Sequence, residues 1–136
     1  MMLIHAKLFL SKLRLLTLGV GFAIVSSAAS VYTATAQELT LYMVEQHGCV
    51  YCEHWDSEVG DAYHKTTEGA LAPLVRLQLR DPLPEGLTFA RKAAFTPTFI
   101  LVRDGQELER IEGYPGEDFF YGMLGVMLKK AGSAPG

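Results

Sequence analysis

Apolar and polar residues alternate along several short segments of the chain, in the pattern of strands that bury one face. The first such segment is Leu39–Glu45 and the second is Leu74–Leu79. A third apolar run follows Pro97, which has no amide hydrogen for a sheet ladder and must therefore lie at a sheet edge or at the start of a strand. The sequence Arg103-Asp104-Gly105 then predicts a hairpin turn into a fourth strand over Glu107–Glu112.

Other segments have the spacing of amphipathic helices. Trp55 and Val59, four positions apart, predict a helix over residues 52–64 that turns one face to the core. The segment Leu87–Ala94 is a candidate for a short helix. Together with the strands, these helices predict a protein of the α/β class.

The last helix is predicted over residues 116–130. Gly122 and Gly125 lower its intrinsic stability by roughly 1 kcal/mol each, which suggests that its backbone approaches the sheet closely. Its apolar positions recur at i and i+4, as expected for core packing, and they are Phe119, Phe120, Met123, Leu124, Met127 and Leu128.

The first 36 residues have the composition of a secretory signal. Three basic residues and no acid precede an apolar run from Leu15 to Val25, and Ala34-Thr35-Ala36 provides a cleavage site. A membrane span requires roughly 20 apolar residues, and the run reaches that length only if it is extended through Val31 as an uncleaved anchor. We therefore expect cleavage after Ala36, export to the periplasm by the general secretory route, and a mature domain of residues 37–136 without a membrane span.

The charge of that mature domain limits its partners. Three of the twelve basic residues and none of the fifteen acids precede residue 37, which leaves a formal charge of −6. Nucleic acid and anionic lipid surfaces are polyanions that attract basic proteins. We expect neither to be a partner.

The chain has two cysteines, Cys49 and Cys52, in the sequence HGCVYCEHW. A disulfide across so short a loop stabilises a fold by only about 2 kcal/mol, so a purely structural role is a poor use of the pair. Redox chemistry, half of a metal site and haem attachment are the alternatives. Haem is excluded because Glu53 follows Cys52 where a histidine is required, and no other cofactor is indicated. A copper or zinc site completed by His47 or His54 stays open.

The predicted elements place Cys49 where a strand turns into a helix. Unpaired amide groups and the positive end of the helix dipole favour an anion there, and a thiolate is such an anion. Thiols in this setting have pKa values between about 3.5 and 7.5, compared with about 8.5 for a free cysteine. Glu45 and Glu53 would oppose this shift, and a protonated His47 would assist it.

The order of the predicted elements resembles that of the thioredoxin family over about residues 39–130. Two motifs carry the resemblance together: Cys49-Val50-Tyr51-Cys52 at a strand-to-helix junction, and Thr96-Pro97 at the head of a later strand. The resemblance implies a thioredoxin-like fold with a central mixed sheet of about four strands flanked by helices. It also implies a cis peptide bond before Pro97 and a position for Pro97 beside the cysteine pair.

The resemblance further implies a thiol-disulfide oxidoreductase that acts on disulfide-containing proteins. Cys49 would attack the partner's disulfide and Cys52 would resolve the mixed disulfide, while Tyr51 and the backbone at Thr96 would contact the substrate. A reductase in an oxidising compartment would also need a membrane thiol donor as its source of electrons. A redox-inert interaction module with the same fold is a further alternative.

The chain departs from the thioredoxin pattern at several positions around the cysteines. Gly48 replaces the tryptophan before the first cysteine, and Val50-Tyr51 replaces the Gly-Pro dipeptide. Met43 stands where the family has a buried aspartate that accepts the proton of the second thiol. Glu45, two residues along the same strand face, is the candidate substitute, with a solvated charge at the strand end as the simpler interpretation. His47 is the candidate for tuning Cys49.

Overall fold

A computed structural model describes residues 38–133 of the chain. It contains four strands and four short or medium helices, and one turn of π-helix lies between the first two helices. In chain order the elements are β1 (Leu39–Glu45), α1 (Val50–Trp55), the π segment (Asp56–Gly60), α2 (Asp61–Tyr63), α3 (Thr67–Leu71), β2 (Leu74–Gln78), β3 (Thr98–Arg103), β4 (Gln106–Glu112) and α4 (Glu117–Lys130).

The four strands form one mixed sheet in the order β2-β1-β3-β4. Strand β1 pairs with β2 in parallel, and the other two pairings are antiparallel. Strand β3 is central and is buried along nearly its whole length, which explains its unbroken apolar run. Pro97 directly precedes the first residue of this strand, as its missing amide hydrogen requires. The predicted strands and the mixed sheet are confirmed.

The predicted hairpin is also present. Asp104 and Gly105 connect β3 to β4 with positive φ angles of 51° and 75°. Positive φ at both central residues is the backbone of the tight turn that matches the twist of paired strands. A side chain at position 105 would place its Cβ 2.1 Å from the Gly86 carbonyl oxygen, so only glycine fits there.

The helical segment after the cysteines packs its apolar residues on one face of the sheet. Trp55, Val59 and Tyr63 follow one another at intervals of four, and each is fully buried. The helix begins at Val50, two residues before the predicted start, and the π segment interrupts its α-helical geometry. Because the helical path continues through this interruption, the three buried side chains still reach the same core.

An aromatic cluster forms the centre of that core. The rings of Trp55 and Phe99 lie 5.4 Å apart, those of Trp55 and Phe120 5.8 Å, and those of Phe99 and Phe120 4.8 Å. Tyr63 packs against both Trp55 and Phe120 and donates its hydroxyl hydrogen to the Ala72 carbonyl at 2.8 Å. Edge and tilted contacts of this kind add about 0.5–1.5 kcal/mol each to the burial of the rings. They join α1, α2, β3 and α4.

The predicted helix over Leu87–Ala94 is absent, and this prediction is wrong. The backbone groups that a helix would pair internally are bonded to the β3–β4 hairpin instead. The Thr88 amide donates to the Gly105 carbonyl at 2.7 Å, and the Ala90 amide donates to a Glu107 carboxylate oxygen at 2.7 Å. Leu87 and Phe89 then contact the second face of the sheet through Val44, Ile100 and Val102. Tertiary contacts therefore override the local helix preference of the segment.

Helix α4 is present as predicted, but its glycines do not mark a close approach. A Cβ added at Gly122 or at Gly125 would meet nothing within 4 Å. Phe120, Leu124, Met127 and Leu128 are buried, whereas Phe119 is 70% exposed and Met123 is 40% exposed. The predicted core stripe is thus correct for four of its six residues.

The proposed signal segment lies outside the described residues. Within residues 38–133, no helix is both long and apolar enough to cross a membrane.

On the face of the sheet opposite the aromatic cluster, an ion pair on β4 holds the connection of residues 79–97 against the sheet. Arg110 binds both carboxylate oxygens of Glu107 at 2.6 Å, and the two side chains are 8% and 7% exposed. The same guanidinium donates to the Arg91 carbonyl at 2.8 Å. Burial raises the pKa of Glu107, but the hydrogen bonds from Arg110 and the Ala90 amide outweigh burial and hold that pKa below its ordinary value.

We expect Glu107→Gln to lower the free energy of unfolding by about 2 kcal/mol at neutral pH, the typical contribution of hydrogen bonds to a charged group. Because the folded-state pKa is lowered, this stabilisation is complete above the unfolded-state value of about 4.3 and is lost as the pH falls through the folded-state value. Urea unfolding of both proteins between neutral and acid pH should therefore show the difference shrinking in acid. Glu85→Gln, an exposed position in the same connection, is the control and should change little. A pH-independent difference would contradict the assignment.

Candidate active site

The cysteine pair follows directly from the end of β1. Three residues separate Glu45 from Cys49, and Gly48 turns the chain with a φ of 73° that favours glycine. Cys49 is the N-cap residue of α1, with extended backbone angles of −82° and 97°. Its sulfur forms a disulfide with Cys52, with the two Cα atoms 5.2 Å apart. The position of Cys49 predicted from the sequence is therefore confirmed.

The helix start supplies amide donors to the first cysteine. The Cys52 amide lies 3.1 Å from the Cys49 sulfur and donates to it. The Cys52 and Glu53 amides also donate to the Cys49 carbonyl at 3.0 and 3.1 Å. An N-cap side chain normally satisfies the unpaired amides of the first turn in this way. In the dithiol form, the same donor would favour a thiolate on Cys49.

The two cysteines do not differ much in exposure. Cys49 is 7% exposed and Cys52 is 5% exposed, so both contribute to the hydrophobic core. The distinction between them lies in the chain geometry. Cys49 caps the helix and receives the amide hydrogen bond, whereas Cys52 lies within the first helical turn.

Strand β3 brings Thr96 and Pro97 to the same end of the sheet. Val44, near the end of β1, is the register partner of Thr98, at the start of β3. The Thr96-Pro97 peptide bond is cis, as the family resemblance implied. Gln46, in the turn before Cys49, donates its side-chain amide to the Thr96 hydroxyl at 3.1 Å.

The loop of Thr96 and Pro97 is fixed on both sides. The Gly113 amide donates to the Pro97 carbonyl at 2.7 Å, and the Thr98 hydroxyl donates to the Phe95 carbonyl at 2.7 Å. Gln46 could not be predicted from the sequence as part of the site, because one amide side chain in a turn gives no signal of its distant partner.

Large apolar side chains lie exposed next to both motifs. Val50 is 58% exposed and Tyr51 is 61% exposed, both between the cysteines, while Phe95, next to Thr96, is 63% exposed. The Tyr51 ring makes an edge contact with the His54 ring, with 6.3 Å between centroids. Phe95 is not among the predicted site residues, although a large aromatic residue directly before Thr96-Pro97 is a usable signal. Together Val50, Tyr51 and Phe95 give this end of the domain an apolar surface suited to contact another polypeptide.

Glu45 is not a solvated charge at the strand end. Its carboxylate accepts from Arg76 at 2.6 Å and from Gln78 at 3.3 Å, and its side chain is 18% exposed. Arg76 also binds Asp56 and lies over the Trp55 ring, 5.4 Å from its centroid. Burial lowers the pKa of Arg76, but the hydrogen bonds to the two carboxylates outweigh that effect and raise the pKa above its ordinary value. The guanidinium is therefore a permanent charge that links β1, β2 and the π segment.

Met43 occupies the position of the family's buried aspartate and is fully buried. Its register partner on β2 is Arg76, so the ion cluster of Glu45, Arg76 and Asp56 lies beside it. The structure thus places charged groups near this position, but they are paired with each other.

His47 and His54 are both exposed, and His47 makes no hydrogen bond or ion pair with other described residues. Within residues 38–133, no three His, Cys, Asp or Glu side chains are grouped so that they could hold a metal ion.

The fold and this site define a thiol-disulfide oxidoreductase: a disulfide-bonded cysteine pair begins a helix and lies at the sheet end that carries a cis-proline loop. A model of the thioredoxin-like domain matches residues 25–127, and the chain belongs to the thioredoxin-like family.

The chain is similar to a solved member of that family. The crystal structure of the periplasmic thioredoxin SoxS from Paracoccus pantotrophus, in its reduced form, shares 54% identity with a TM-score of 0.68. The match covers 69% of this chain and 99% of the SoxS chain. The X-ray structure of Fasciola hepatica thioredoxin matches at 18% identity and a TM-score of 0.47, over 65% of this chain and 79% of that one. No sequence among the curated proteins matches the chain.

We expect the Cys49 thiol of the reduced protein to titrate below the value of about 8.5 for an ordinary cysteine, because the Cys52 amide and the start of α1 stabilise its anion. Thiolate absorbance as a function of pH measures this value directly. In Cys49→Ser, the remaining Cys52 thiol serves as the comparison and should show no such low-pH transition. A Cys49 thiol that titrates near 8.5 would show that the hydrogen bond from the Cys52 amide to the Cys49 sulfur, present in the disulfide form, does not persist on reduction.

Proposed function

We propose that the protein is a periplasmic thiol-disulfide oxidoreductase that reduces disulfides of partner proteins in a sulfur-oxidation pathway, as a counterpart of SoxS. The observation that carries the chemistry is the hydrogen bond from the Cys52 amide to the Cys49 sulfur at the start of α1. The similarity to SoxS over nearly the whole of that chain supports the pathway and the compartment.

The reaction begins with the Cys49 thiolate. It attacks one sulfur of the partner's disulfide, which forms a mixed disulfide and releases the other partner sulfur as a thiolate. Cys52, deprotonated, then attacks the Cys49 sulfur and releases the second partner thiolate. Two electrons pass to the partner, two protons complete its thiols, and the Cys49–Cys52 disulfide remains. Cys49 is the attacking member because it receives the amide hydrogen bond that Cys52 lacks.

The substrate would lie over the exposed surface around Cys49. Tyr51 contributes a large, exposed apolar contact, and the backbone at Thr96, beside Pro97, contributes hydrogen-bonding groups to an extended chain. The hydrogen bond from Gln46 holds the Thr96 side chain towards the turn before Cys49.

The proton of Cys52 has no acceptor of the usual kind, because Met43 replaces the buried aspartate. Glu45 lies on the same strand face, but Arg76 and Gln78 already donate to its two oxygens. These contacts support a structural role for Glu45 in holding Arg76 against Trp55. His47, exposed and two residues before Cys49, remains our candidate for tuning the first thiol.

The N-terminal segment would direct this chemistry to the periplasm. Cleavage after Ala36 would release residues 37–136 as the mature domain. Because the cycle leaves the protein oxidised, a membrane thiol donor that passes electrons across the membrane would restore the dithiol.

Cys49→Ser should abolish the reduction of insulin disulfides, because the remaining Cys52 thiol does not receive the amide hydrogen bond that favours a thiolate on Cys49. Turbidity from precipitating insulin B chain, with dithiothreitol as the electron source, measures the rate above the uncatalysed background. Cys52→Ser should also lose its own turnover, because no thiol within the protein resolves its mixed disulfide. When the pre-reduced variant is incubated with insulin and the dithiothreitol is left out, it should accumulate that mixed disulfide through Cys49. Full activity of Cys49→Ser would rule out the proposed mechanism.

The accumulated mixed disulfide of Cys52→Ser also identifies the partner. The variant should be produced in its native host with the signal segment intact, and the covalent adducts should be separated without reductant and analysed by mass spectrometry. A protein of sulfur oxidation, absent from a parallel Cys49→Ser/Cys52→Ser sample, is the expected result. Adducts with unrelated periplasmic proteins only would contradict the pathway but not the chemistry.

A further inference from the structure

Helix α4 carries a second apolar stripe that the core does not use. Phe119, Met123 and Val126 lie at i, i+4 and i+7, and their exposed fractions are 70%, 40% and 55%. This spacing places them on one face of the helix, next to the buried face of Phe120 and Leu124. We call the depression between this stripe and strand β4 the α4 groove; it encloses about 540 Å³.

Gly122 deepens the groove. It lies between Phe119 and Met123 in the groove wall, and a Cβ added there would meet nothing within 4 Å. The glycine is therefore not required by packing inside the domain, although it costs the helix roughly 1 kcal/mol relative to alanine. Space left open on the outer surface is available to a side chain from another molecule.

The α4 groove is continuous with the surface around the cysteines. A smaller depression of about 390 Å³ has Tyr51, Ile111, Tyr114 and Met123 among its lining residues. Met123 and Ile111 line the α4 groove as well. Because the two depressions share these residues, a polypeptide that contacts Tyr51 beside the cysteines can extend into the α4 groove as far as Val126.

The unpaired charge in the groove is negative. Lys130 is bonded to Glu109 at 2.8 Å, and Arg110 is held by Glu107 and Glu112. Asp118 is the charged lining residue that makes no ion pair with any residue in the described range. A basic side chain next to an apolar segment would complement this carboxylate.

We propose that the α4 groove binds an apolar segment, flanked by basic residues, of the same protein whose disulfide Cys49 attacks. The inference rests on the proposed function, because the continuity through Tyr51 and Met123 assigns the groove to the disulfide-bearing partner. Binding there would raise the effective concentration of the partner's disulfide at Cys49 without any change to the thiol chemistry.

The test uses synthetic peptides that carry a single cysteine in a mixed disulfide with thionitrobenzoate. Attack by Cys49 releases either the coloured thiolate or the peptide thiol, and Cys52 completes the reduction of the disulfide. One peptide continues through a flexible linker of about ten residues, which spans about 17 Å on average, into a segment of Leu, Phe and Lys. In a second peptide serine replaces Leu and Phe, and in a third glutamate replaces Lys.

We expect the reduced wild-type protein to reduce the apolar, basic peptide with a kcat/KM about tenfold above that of the serine peptide, mainly through KM, as burial of one or two side chains allows. The glutamate peptide should fall between them. Phe119→Ser and Met123→Ser should remove most of this preference and leave the serine peptide unaffected, which also shows that the variants fold. Val75→Ser is the matched control: Val75 is 40% exposed, like Met123, but lies on β2 at the other edge of the sheet.

The possible failures are distinguishable. Equal rates for all three peptides with the wild-type protein, or a preference that survives both groove variants, would overturn the inference while the proposed function stands. Sedimentation that shows a wild-type dimer dissociated by Met123→Ser would assign the groove to a second copy of the chain and would also overturn it. If the wild-type protein reduces none of the peptides and no insulin, the proposed function fails, and the inference fails with it.

Discussion

The position of the reactive cysteines depends on the packing of Trp55 against β3 and α4. Trp55 follows Cys52 by three residues and is fully buried between Phe99 and Phe120. Since the helix is continuous from Cys52 to Trp55, the ring fixes the direction in which α1 leaves the sheet. Arg76 lies over the same ring and ties the next turn of the helical segment to β1 through Glu45. The aromatic contacts of Trp55 and the ion pairs of Arg76 therefore fix the position of α1, and the cysteine pair lies at the start of that helix.

The sheet topology explains why two motifs far apart in the sequence form one site. Strands β1 and β3 are adjacent and antiparallel, so the residue that ends β1 and the residue that begins β3 lie at the same end of the sheet. The turn that contains Cys49 begins at that end of the sheet, and Thr96-Pro97 lies at the same end, directly before β3. The hydrogen bond between Gln46 and Thr96 closes the remaining gap with side chains. No contact between the motifs has to be built by a dedicated loop, because antiparallel pairing of two strands already supplies it.

Local patterns were sufficient to predict the elements that form this arrangement. The alternation in Leu39–Glu45, the turn residues Asp104 and Gly105, and the four-residue spacing of Trp55 and Val59 each have one physical interpretation, and each prediction is confirmed. Leu87–Ala94 could not be predicted in this way, because its conformation depends on carbonyl and carboxylate groups of a hairpin that follows it in sequence. The environment of Glu45 escaped prediction for the same reason, since Arg76 reaches it from a neighbouring strand.

The burial of both cysteines determines which parts of the surface can discriminate between disulfide-bearing partners. With only 7% of Cys49 exposed, a partner's disulfide can reach the sulfur only if the partner's backbone comes close to the protein surface. In the proposed reaction such a partner would meet the exposed apolar side chains of Val50, Tyr51 and Phe95 next to the two motifs, and not the acids that dominate the charge of the domain. Apolar contact is non-directional and scales with the area removed from water, so it tolerates varied sequences near the attacked disulfide. Discrimination between partners therefore has to come from contacts further from the sulfur, where shape and charge differ more between one partner and another.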